Sequence, residues 1–337
     1  MTTAPTTGQD GACLICAGRD WRLVVRCPDL EYRCRPGTWD LVECAGCGHV
    51  YLHPLPAPEE VAALYPPWYY TVNPRSPIYL EGGVVEAKMA KDARKLRAQM
   101  GERTVRSIVD VGGGNLTRLV KLKEVFSTSA PGQDVEAVCL DLQFDEASLA
   151  QARSIGVRLV RGNVESEVTA LRDGGHDLII LRQLIEHLRD PRAALRQLRR
   201  KLSPQGLLVV ETPNRGGLDY RLFRRGQWGG YHVPRHFHLF TQPSLAALLE
   251  ECGYAVVRRG YTPSIAFWII SLRNALGLNS IERSRSFWEW LTLRSLPVAG
   301  AFYVLDLVWL ALGLETSNQY VHATPRGSVN SIDHSRS

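Results

Sequence analysis

Residues 176–214 read HDLIILRQLIEHLRDPRAALRQLRRKLSPQGLLVVETPN, and no other part of the sequence says more about the fold. The apolar runs Asp177–Leu181 and Gly206–Val210 have strand character, and Pro191–Leu202 between them has helical character. Strand-like runs and a further helix recur outside this stretch, at 105–111, 135–140, 157–160, 255–257 and 243–252. Strands and helices that alternate over about 150 residues predict a parallel, doubly wound α/β sheet. Such sheets bind ligands at the carboxyl ends of their strands.

Length and composition bound the rest of the molecule. At about 100–200 residues per domain, 337 residues allow two or three domains. Hydrophobic residues make up 45% and charged residues 22%, which excludes a disordered, collagenous or coiled-coil protein. The net charge is +6, yet residues 1–80 hold six basic and eight acidic side chains. An acidic front end does not suit a phosphate backbone, so we expect no nucleic-acid partner.

The start of the chain indicates where the protein works. The first twelve residues, MTTAPTTGQDGA, have neither a basic region nor an apolar region of a signal peptide. We therefore expect a cytoplasmic protein with reduced cysteines, in which a disulfide framework is not expected.

Six of the eight cysteines lie within the first 47 residues. Cys13 and Cys16 form one C-x-x-C pair, and Cys44 and Cys47 form a second, so that four thiolates can complete a tetrahedral zinc site. We therefore predict a zinc ribbon at residues 11–55 after a disordered tail at 1–10. A closed four-thiolate site has no open position, which indicates structural zinc. Cys27 and Cys34 are interpreted as plain buried thiols, although an exchange of one with a ligand stays open.

A connector rich in proline and aromatic residues, 56–80, follows the ribbon. Two of its residues, Tyr69 and Tyr70, either cover a ligand or pack the connector onto the next domain. That next domain is predicted at 81–326, with a tail at 327–337.

A glycine turn follows the first strand of this domain, in SIVDVGGGNLTRLVKL. Asp110 stands at the strand end, the second strand ends in Asp141, and the third ends at Gly162-Asn163-Val164. An acid at the second position can bond both ribose hydroxyls, and a polar side chain at the third can meet an adenine amino group. The run from Gly112 reads GGGNLT and lacks the sixth-position glycine of a dinucleotide site. The pattern therefore favours an adenosine ligand without a pyrophosphate.

With these motifs the sequence resembles class I S-adenosylmethionine-dependent methyltransferases over roughly residues 81–262. Residues 176–214 are similar to that family's fourth strand, E-H-x-x-D-P turn, helix, L-x-P-x-G turn and fifth strand. Residues 11–80 resemble the zinc-ribbon front end of a subgroup that includes sugar carbon-methyltransferases. The resemblance implies a Rossmann-like seven-stranded sheet, with SNQYVHATPR near the C-terminus as its antiparallel last strand, and S-adenosylmethionine as cofactor.

The resemblance also implies roles for individual residues. Asp110 and Gly112 would support the methionine part of the cofactor, with Gly114 against the ligand. Asp141 would hold the ribose beside Leu142, and Asn163 and Val164 would flank adenine. Arg182 and Gln183 would lie beneath the methyl donor. Two positions depart from the family pattern, since Leu116 replaces a usual glycine and Asn163 a usual aspartate.

Candidate catalytic residues lie in two places. His187 follows the fourth strand, and the segment 228–241, WGGYHVPRHFHLFT, adds His236 and Tyr231. The same segment offers the candidate substrate contacts Trp228, His232 and Arg235. In the sugar carbon-methyltransferases of the subgroup a Tyr-x-Glu-His cluster stands here, so Arg235 in place of the acid weakens carbon methylation and suits an anionic substrate.

Structural alternatives accompany these candidates. His187 could cap a turn, and we interpret His238 as structural. A metal held by His232, His236 and His238 is disfavoured because no carboxylate is nearby in sequence. Whether His236 or His187 is the base stays open.

An apolar insertion at 264–314 contains IAFWIISL at 265–272 and VAGAFYVLDLVWLALGL at 298–314. A membrane span there would carry the last strand to the far side, and Asp306 within it would cost roughly 2.5–3.5 kcal/mol. We therefore predict a helical insertion. Three uses stay open: a lid over a lipophilic substrate, a homodimer interface, or a peripheral contact with a membrane surface. The residues considered for these uses are Arg273, Arg283, Arg285, Arg294, Trp268, Trp288, Trp290 and Trp309.

The function predicted from these observations is S-adenosylmethionine-dependent methylation, at oxygen or carbon. The acceptor would be a small molecule of a biosynthetic pathway, namely a sugar, a natural product or a lipid-linked metabolite. The alternative is a zinc-ribbon binding or assembly protein with a vestigial methyltransferase fold.

Overall fold

A computed structural model describes residues 12–66, 69, 76, 78, 82–128, 134–278 and 290–327. The predicted tail at 1–10, and the tail at 327–337 beyond its first residue, lie outside this range. So do Tyr70 of the connector and the insertion residues Arg283, Arg285 and Trp288.

A seven-stranded sheet forms the larger part of the molecule. Its strands are β4 (Ser107–Val111), β5 (Glu136–Asp141), β6 (Val157–Arg161), β7 (His176–Arg182), β8 (Leu202–Pro213), β10 (Tyr254–Thr262) and β11 (Asn318–Pro325). Their order is β10-β11-β8-β7-β4-β5-β6. The pairs from β8 to β6 are parallel, and β11 lies antiparallel between β8 and β10. The predicted α/β class and the antiparallel last strand are both confirmed.

The direction of chain progress reverses between β4 and β7. From β4 the chain moves outward to β5 and β6, and it then returns to place β7 on the other side of β4. The carboxyl ends of these two central strands therefore flank a crevice, which is where open α/β sheets bind ligands. Both strands are almost wholly buried, because core clusters cover both faces of the sheet.

Helices connect the strands. They are α1 (Gly83–Gln99), α2 (Thr117–Thr128), α3 (Glu146–Ile155), α4 (Val164–Glu167), α5 (Pro191–Lys201), α6 (Leu218–Phe223) and α7 (Gln242–Glu251). In the motif stretch, the Asp190 carboxylate accepts a hydrogen bond from the backbone N–H of Ala193 at 2.9 Å, and Pro191 is the first helical residue. A capping aspartate followed by proline explains why α5 begins there.

The N-terminal segment forms a second sheet. Strands β1 (Trp21–Cys27), β2 (Trp39–Cys44) and β3 (Val50–His53) pair antiparallel, and a fourth strand, β9 (His238–Leu239), pairs with β3. Because β9 belongs to the segment after β8, the two sheets are joined by backbone pairing. His238 within it is buried and hydrogen-bonded to His49 at 2.9 Å.

The segment around β9 also shares a core with the N-terminal strands. Trp228, Tyr231 and Phe237 pack with Leu41 and Leu52 in one buried cluster. Residues 228–239 therefore lie between the N-terminal sheet and the carboxyl ends of the central strands.

The insertion is helical where it is described, as α8 (Ile265–Ala275) and α9 (Leu296–Ala311). Asp306 is buried, accepting hydrogen bonds from Ser264 N at 2.5 Å and Trp268 Nε1 at 2.9 Å. The side of α9 opposite Asp306 is exposed and apolar, with Val304 and Val308 in the helix and Leu312 directly after it. Within the described ranges, no helix combines the length and apolarity that a membrane span requires.

Candidate active site

The end of β4 carries a buried acid and a glycine turn. Asp110 is fully buried, and its Oδ1 lies 3.2 Å from Nη1 of Arg118. Its Oδ2 has no hydrogen-bond partner among the described residues, and burial raises the pKa of the carboxyl group. In the turn, a Cβ atom added at Gly113 would stand 2.6 Å from the Cys139 sulfur, which is too close for any side chain. A Cβ atom added at Gly114 would have no neighbour within 4 Å. The turn is therefore tightly packed at Gly113, against β5, and has open space at Gly114.

Leu116 stands where the resemblance implies a glycine, and it has a backbone conformation that favours glycine. Its φ is +62°, in the left-handed region that favours glycine, and its side chain is fully buried in the core. The larger side chain therefore points away from the open side of the turn.

The next two strand ends complete a row of polar groups. Asp141 Oδ2 accepts a hydrogen bond from Gly114 N at 2.9 Å, which ties the glycine turn to β5. Leu142 beside it is 54% exposed. Asn163 Oδ1 accepts a hydrogen bond from Glu165 N at 2.9 Å and so caps α4. One lone pair of that amide oxygen remains for another donor, and Val164 is buried beneath it.

Arg182 is the last residue of β7 and Gln183 follows it, and both line a cavity of about 230 Å³. Arg182 Nε pairs with Glu211 Oε2 at 2.9 Å, and Gln183 Nε2 donates to Asn318 Oδ1 at 2.9 Å. Gln183 has φ +51° and His232, on the same cavity, has φ +41°. Non-glycine residues held in this region are strained, and such strain is concentrated at functional sites.

The wall of the cavity combines polar and apolar groups. Three histidines line it, and so does the first part of α8 with Ile265, Phe267 and Ile270. The N-terminal part of the chain contributes Glu31 and Tyr69.

His187 and His236 lie side by side, with ring centroids 4.6 Å apart. His187 Nδ1 is 3.0 Å from Arg235 O, and His236 Nδ1 is 2.8 Å from Gly230 O. His187 Nδ1 is also 3.1 Å from Tyr65 Oη. Because a carbonyl oxygen only accepts, the two carbonyl contacts assign the proton to Nδ1 and the lone pair to Nε2 in both rings, and the Tyr65 oxygen is then a second acceptor for the His187 N–H. Burial lowers the pKa of His187 to about 3 and that of His236 well below its ordinary value, so both are neutral at pH 7.

Glu186 lies behind these two histidines, and the candidates chosen from sequence did not include it. It is fully buried, and its Oε2 accepts a hydrogen bond from Thr212 Oγ1 at 2.8 Å. Its Oε1 is 3.9 Å from His236 Nε2 and has no hydrogen-bond partner among the described residues. Burial raises the pKa of the carboxyl group to about 8. In the sequence, only its position next to His187 marks Glu186 as a candidate. Its contact with His236 joins residues 50 positions apart, which no local pattern indicates.

His232 is held by two groups from the N-terminal part of the chain. Its Nδ1 is 2.9 Å from Glu31 Oε1 and its Nε2 is 2.9 Å from Tyr69 Oη. Glu31 was also absent from the sequence-based candidates, since nothing local links it to a residue 201 positions away.

Three of the predicted catalytic and substrate residues do not line the cavity. Arg235 is fully buried, with Nη2 2.7 Å from Asp29 Oδ2 and Nε donating to Leu64 O. Its counter-charge is therefore internal, where the sequence suggested an anionic substrate. Trp228 donates through Nε1 to Asp219 at 2.9 Å, and Tyr231 donates through its hydroxyl to Arg224 O at 2.8 Å.

The four predicted zinc ligands converge at the base of the N-terminal sheet. Cys13 Sγ is 3.7 Å from Cys47 Sγ, and Cys16 Sγ is 3.4 Å from Cys44 Sγ, with all four sulfurs within 4.8 Å of one another. Zn–S bonds of about 2.3 Å in a tetrahedron require sulfurs about 3.8 Å apart, so the set fits zinc. Cys27 is buried at the end of β1, as predicted, whereas the prediction of burial was wrong for Cys34, which is half-buried and contacts Leu64 and Arg235.

Comparison with known proteins identifies the family of the chain. A family model described as a methyltransferase domain matches residues 85–259, more than half of the chain. A ubiquinone biosynthesis O-methyltransferase of Cereibacter sphaeroides is 27% identical over 141 residues, which cover 40% of this chain and 57% of that protein. The chain thus spans little more than half the length of the curated relatives it matches.

Solved structures resemble the chain at lower identity. A SAM-dependent methyltransferase from Archaeoglobus fulgidus has a TM-score of 0.43 at 16% identity, covering 72% of this chain and 98% of that one. Phosphoethanolamine N-methyltransferase 2 of Haemonchus contortus, in complex with S-adenosyl-L-methionine, has a TM-score of 0.45 at 13% identity, covering 79% and 57%.

Proposed function

The chain belongs to the methyltransferase-domain family, and from this premise we propose that it transfers a methyl group from S-adenosylmethionine to a small-molecule acceptor. The ubiquinone biosynthesis O-methyltransferases that it resembles support an oxygen acceptor in a biosynthetic pathway. The observation that carries the proposal is the row of three strand ends beside a cavity of about 230 Å³.

The residues at the strand ends fit the cofactor. Asp110 Oδ2 is buried without a hydrogen-bond partner among the described residues, and the space above Gly114 is open. We propose that Asp110 and Gly112 support the methionine part, with Gly114 against the ligand. Asp141 would bind the ribose hydroxyls, with the exposed Leu142 as an apolar platform, and Asn163 and Val164 would flank adenine. When bound, S-adenosylmethionine supplies a methyl group on a sulfonium sulfur.

The cavity is the proposed acceptor site, with Arg182 and Gln183 on the side nearest the methyl donor. The Nε2 lone pairs of His187 and His236 are available to accept hydrogen bonds from an acceptor hydroxyl, because both rings are neutral and their Nδ1 protons are engaged. His232 would orient the acceptor. The apolar wall from α8 suits an acceptor with a hydrophobic part. Positioning of this kind supplies much of the rate of an in-line displacement.

Tyr231, Trp228 and Arg235 receive a different proposal. Their polar groups are engaged with Arg224, Asp219 and Asp29, away from the cavity. We propose that they position the segment that carries His232 and His236.

Structural zinc at Cys13, Cys16, Cys44 and Cys47 is part of the proposal, supported by the distances between the sulfurs. So is a division into a ribbon at 11–55, a connector at 56–80 and a methyltransferase domain at 81–326.

The sequence leaves three uses open for the insertion, and the two helices support different ones. Because α8 lines the cavity, we propose that it acts as a wall over an acceptor with an apolar part. The exposed apolar side of α9 supports contact with a second copy or a membrane surface. A cytoplasmic location stays a prediction.

Calorimetry with S-adenosylmethionine and S-adenosylhomocysteine tests the function. We expect both ligands to bind the wild type and Asp141→Asn to bind about 10- to 100-fold more weakly, since an amide has one accepting oxygen in place of two and Gly114 N–H already uses one of them. The matched control is Asp145→Asn in the same loop, which keeps its cap on α3 and is expected to bind normally. Absence of binding heat with the wild type would refute the proposal.

A further inference from the structure

Three side chains at the back of the cavity share an unusual property, since each holds a lone pair without a hydrogen bond. The Glu186 Oε1 atom is buried and unpartnered within the described residues. His187 and His236 both bond backbone carbonyls through Nδ1, which leaves the Nε2 lone pairs. Glu186, His187 and His236 each offer one ligand atom, and these atoms lie within 4.8 Å of one another.

Direct hydrogen bonding does not explain this arrangement. Glu186 Oε1 and His236 Nε2 are 3.9 Å apart, which is too long for a hydrogen bond. A buried acceptor without a donor is costly, by about 1–3 kcal/mol. A cation that binds all three lone pairs would remove that cost.

We infer that Glu186, His187 and His236 bind a divalent transition-metal cation at the back of the acceptor cavity. Two neutral imidazoles and one carboxylate form a donor set that suits zinc and iron(II), and it leaves coordination positions open.

The surroundings of the three residues fit this assignment. Imidazoles that bind metals usually donate their second N–H to a carbonyl or carboxylate, which fixes the ring, and here Arg235 O and Gly230 O play that part. Glu186 Oε2 is similarly fixed by Thr212. Metal–ligand bonds of about 2.0–2.2 Å at tetrahedral angles place ligands about 3.4 Å apart, so Glu186 and His236 would approach by about half an ångström.

The two histidines line the cavity, so an open coordination position would face the acceptor. This step rests on the proposed function and refines it: the Nε2 lone pairs of His187 and His236 bind the cation instead of the acceptor hydroxyl. The cation then binds the acceptor oxygen as a Lewis acid and lowers the pKa of its hydroxyl group. The set differs from the four cysteines, which form a closed site with only thiolate ligands.

Metal content of the full-length chain tests the inference. After gel filtration with Zn²⁺, we expect two equivalents per chain by mass spectrometry in the wild type, and one in Glu186→Gln and in His236→Gln. The control is His322→Gln, a buried histidine of β11 outside the cluster, which should keep two. Circular dichroism shows whether each variant is folded.

A titration of the wild type with Co²⁺ needs no variant. Filling the cysteine site produces thiolate charge-transfer absorption, and filling the second site adds visible bands without it. Affinity of the second site for Co²⁺ should fall at least 100-fold in Glu186→Gln. A single equivalent in the wild type, or a second equivalent that both variants keep, would overturn the inference.

Binding of S-adenosylhomocysteine by the same samples separates the two proposals. If it binds and no second metal does, the metal site is wrong and the proposed function stands. If the metal binds and the cofactor does not, the proposed function is wrong, and the cation is left without an acceptor to bind.

Discussion

At the scale of single residues, Arg235 is the most instructive side chain. Its guanidinium is buried between the Asp29 carboxylate, the Leu64 carbonyl and the ring of Tyr32, whose centroid is 4.4 Å away. Burial raises the pKa of Asp29, but the hydrogen bonds and charge of Arg235 outweigh it and hold that pKa below its ordinary value. The pair links the N-terminal sheet to the segment that carries His236.

We expect Asp29→Asn to reduce the free energy of unfolding by about 3–5 kcal/mol at pH 7, because Arg235 would remain buried without a counter-charge. A lowered native pKa gives stability that is present above the unfolded-state value near 3.9 and lost below it. The difference between wild type and variant should therefore persist from pH 7 to 5 and shrink below about pH 4. Urea denaturation at several pH values measures it.

The control for this prediction is Asp40→Asn. Asp40 also pairs with an arginine, Arg26, but on the exposed surface, where ion pairs contribute little. Its unfolding free energy should stay close to that of the wild type. Equal losses in the two variants would show that burial of the Arg235 pair is not what matters.

At the scale of elements, the E-H-x-x-D-P turn has two separable parts. His187 lines the cavity with Glu186 buried behind it, whereas Asp190 caps α5 through Ala193 N. The aspartate therefore has a structural role within the same motif.

Asp190→Ala should lower the free energy of unfolding by about 1 kcal/mol through loss of the cap, and Asp190→Asn by much less, since asparagine caps equally well. Chemical denaturation of both variants tests this. A comparable loss in Asp190→Asn would point to the carboxylate charge rather than to capping.

The sequence predicts long elements well and β9 not at all. The strands β4, β5, β6 and β7 lie within one or two residues of the apolar runs that indicate them. For β4, β5 and β7, burial on both faces of the sheet requires such runs. Strand β9 has two residues and exists because Val50 and Tyr51 offer it an edge. No local pattern reports a partner so far away in sequence.

At the scale of the whole molecule, the fold of residues 228–239 depends on the N-terminal sheet that carries the four cysteines. Leu41 and Leu52 of the N-terminal sheet pack on Trp228 and Phe237, so loss of the ribbon would remove one side of that core. Metal binding in small cysteine sites is coupled to folding.

We expect Cys47→Ser to lower the Tm and to speed amide exchange in residues 228–239 as well as in the ribbon. Hydrogen-exchange mass spectrometry resolves the two regions, and β5 in the same protein is the internal control. Unchanged protection of residues 228–239 in a variant without zinc would contradict the coupling.

The candidate site was predictable where its signals are local. The C-x-x-C pairs and the acids at strand ends can be read directly because spacing along the chain fixes their chemistry. The contacts of Glu186 with His236, Glu31 with His232 and Asp29 with Arg235 join segments 50 to 206 positions apart. They follow from how the sheets pack against each other, which no single segment encodes.

The joining of β3 to β9 has a consequence for how the protein is made. His49 and His238 are 189 positions apart, a distance that a ribosome covers in about 10–40 s at roughly 5–20 residues per second. Throughout that interval the newly made β3 has no neighbour on one side, and an unpaired strand can pair with another nascent chain. Translation that pauses before residue 238 therefore prolongs the period in which aggregation competes with folding.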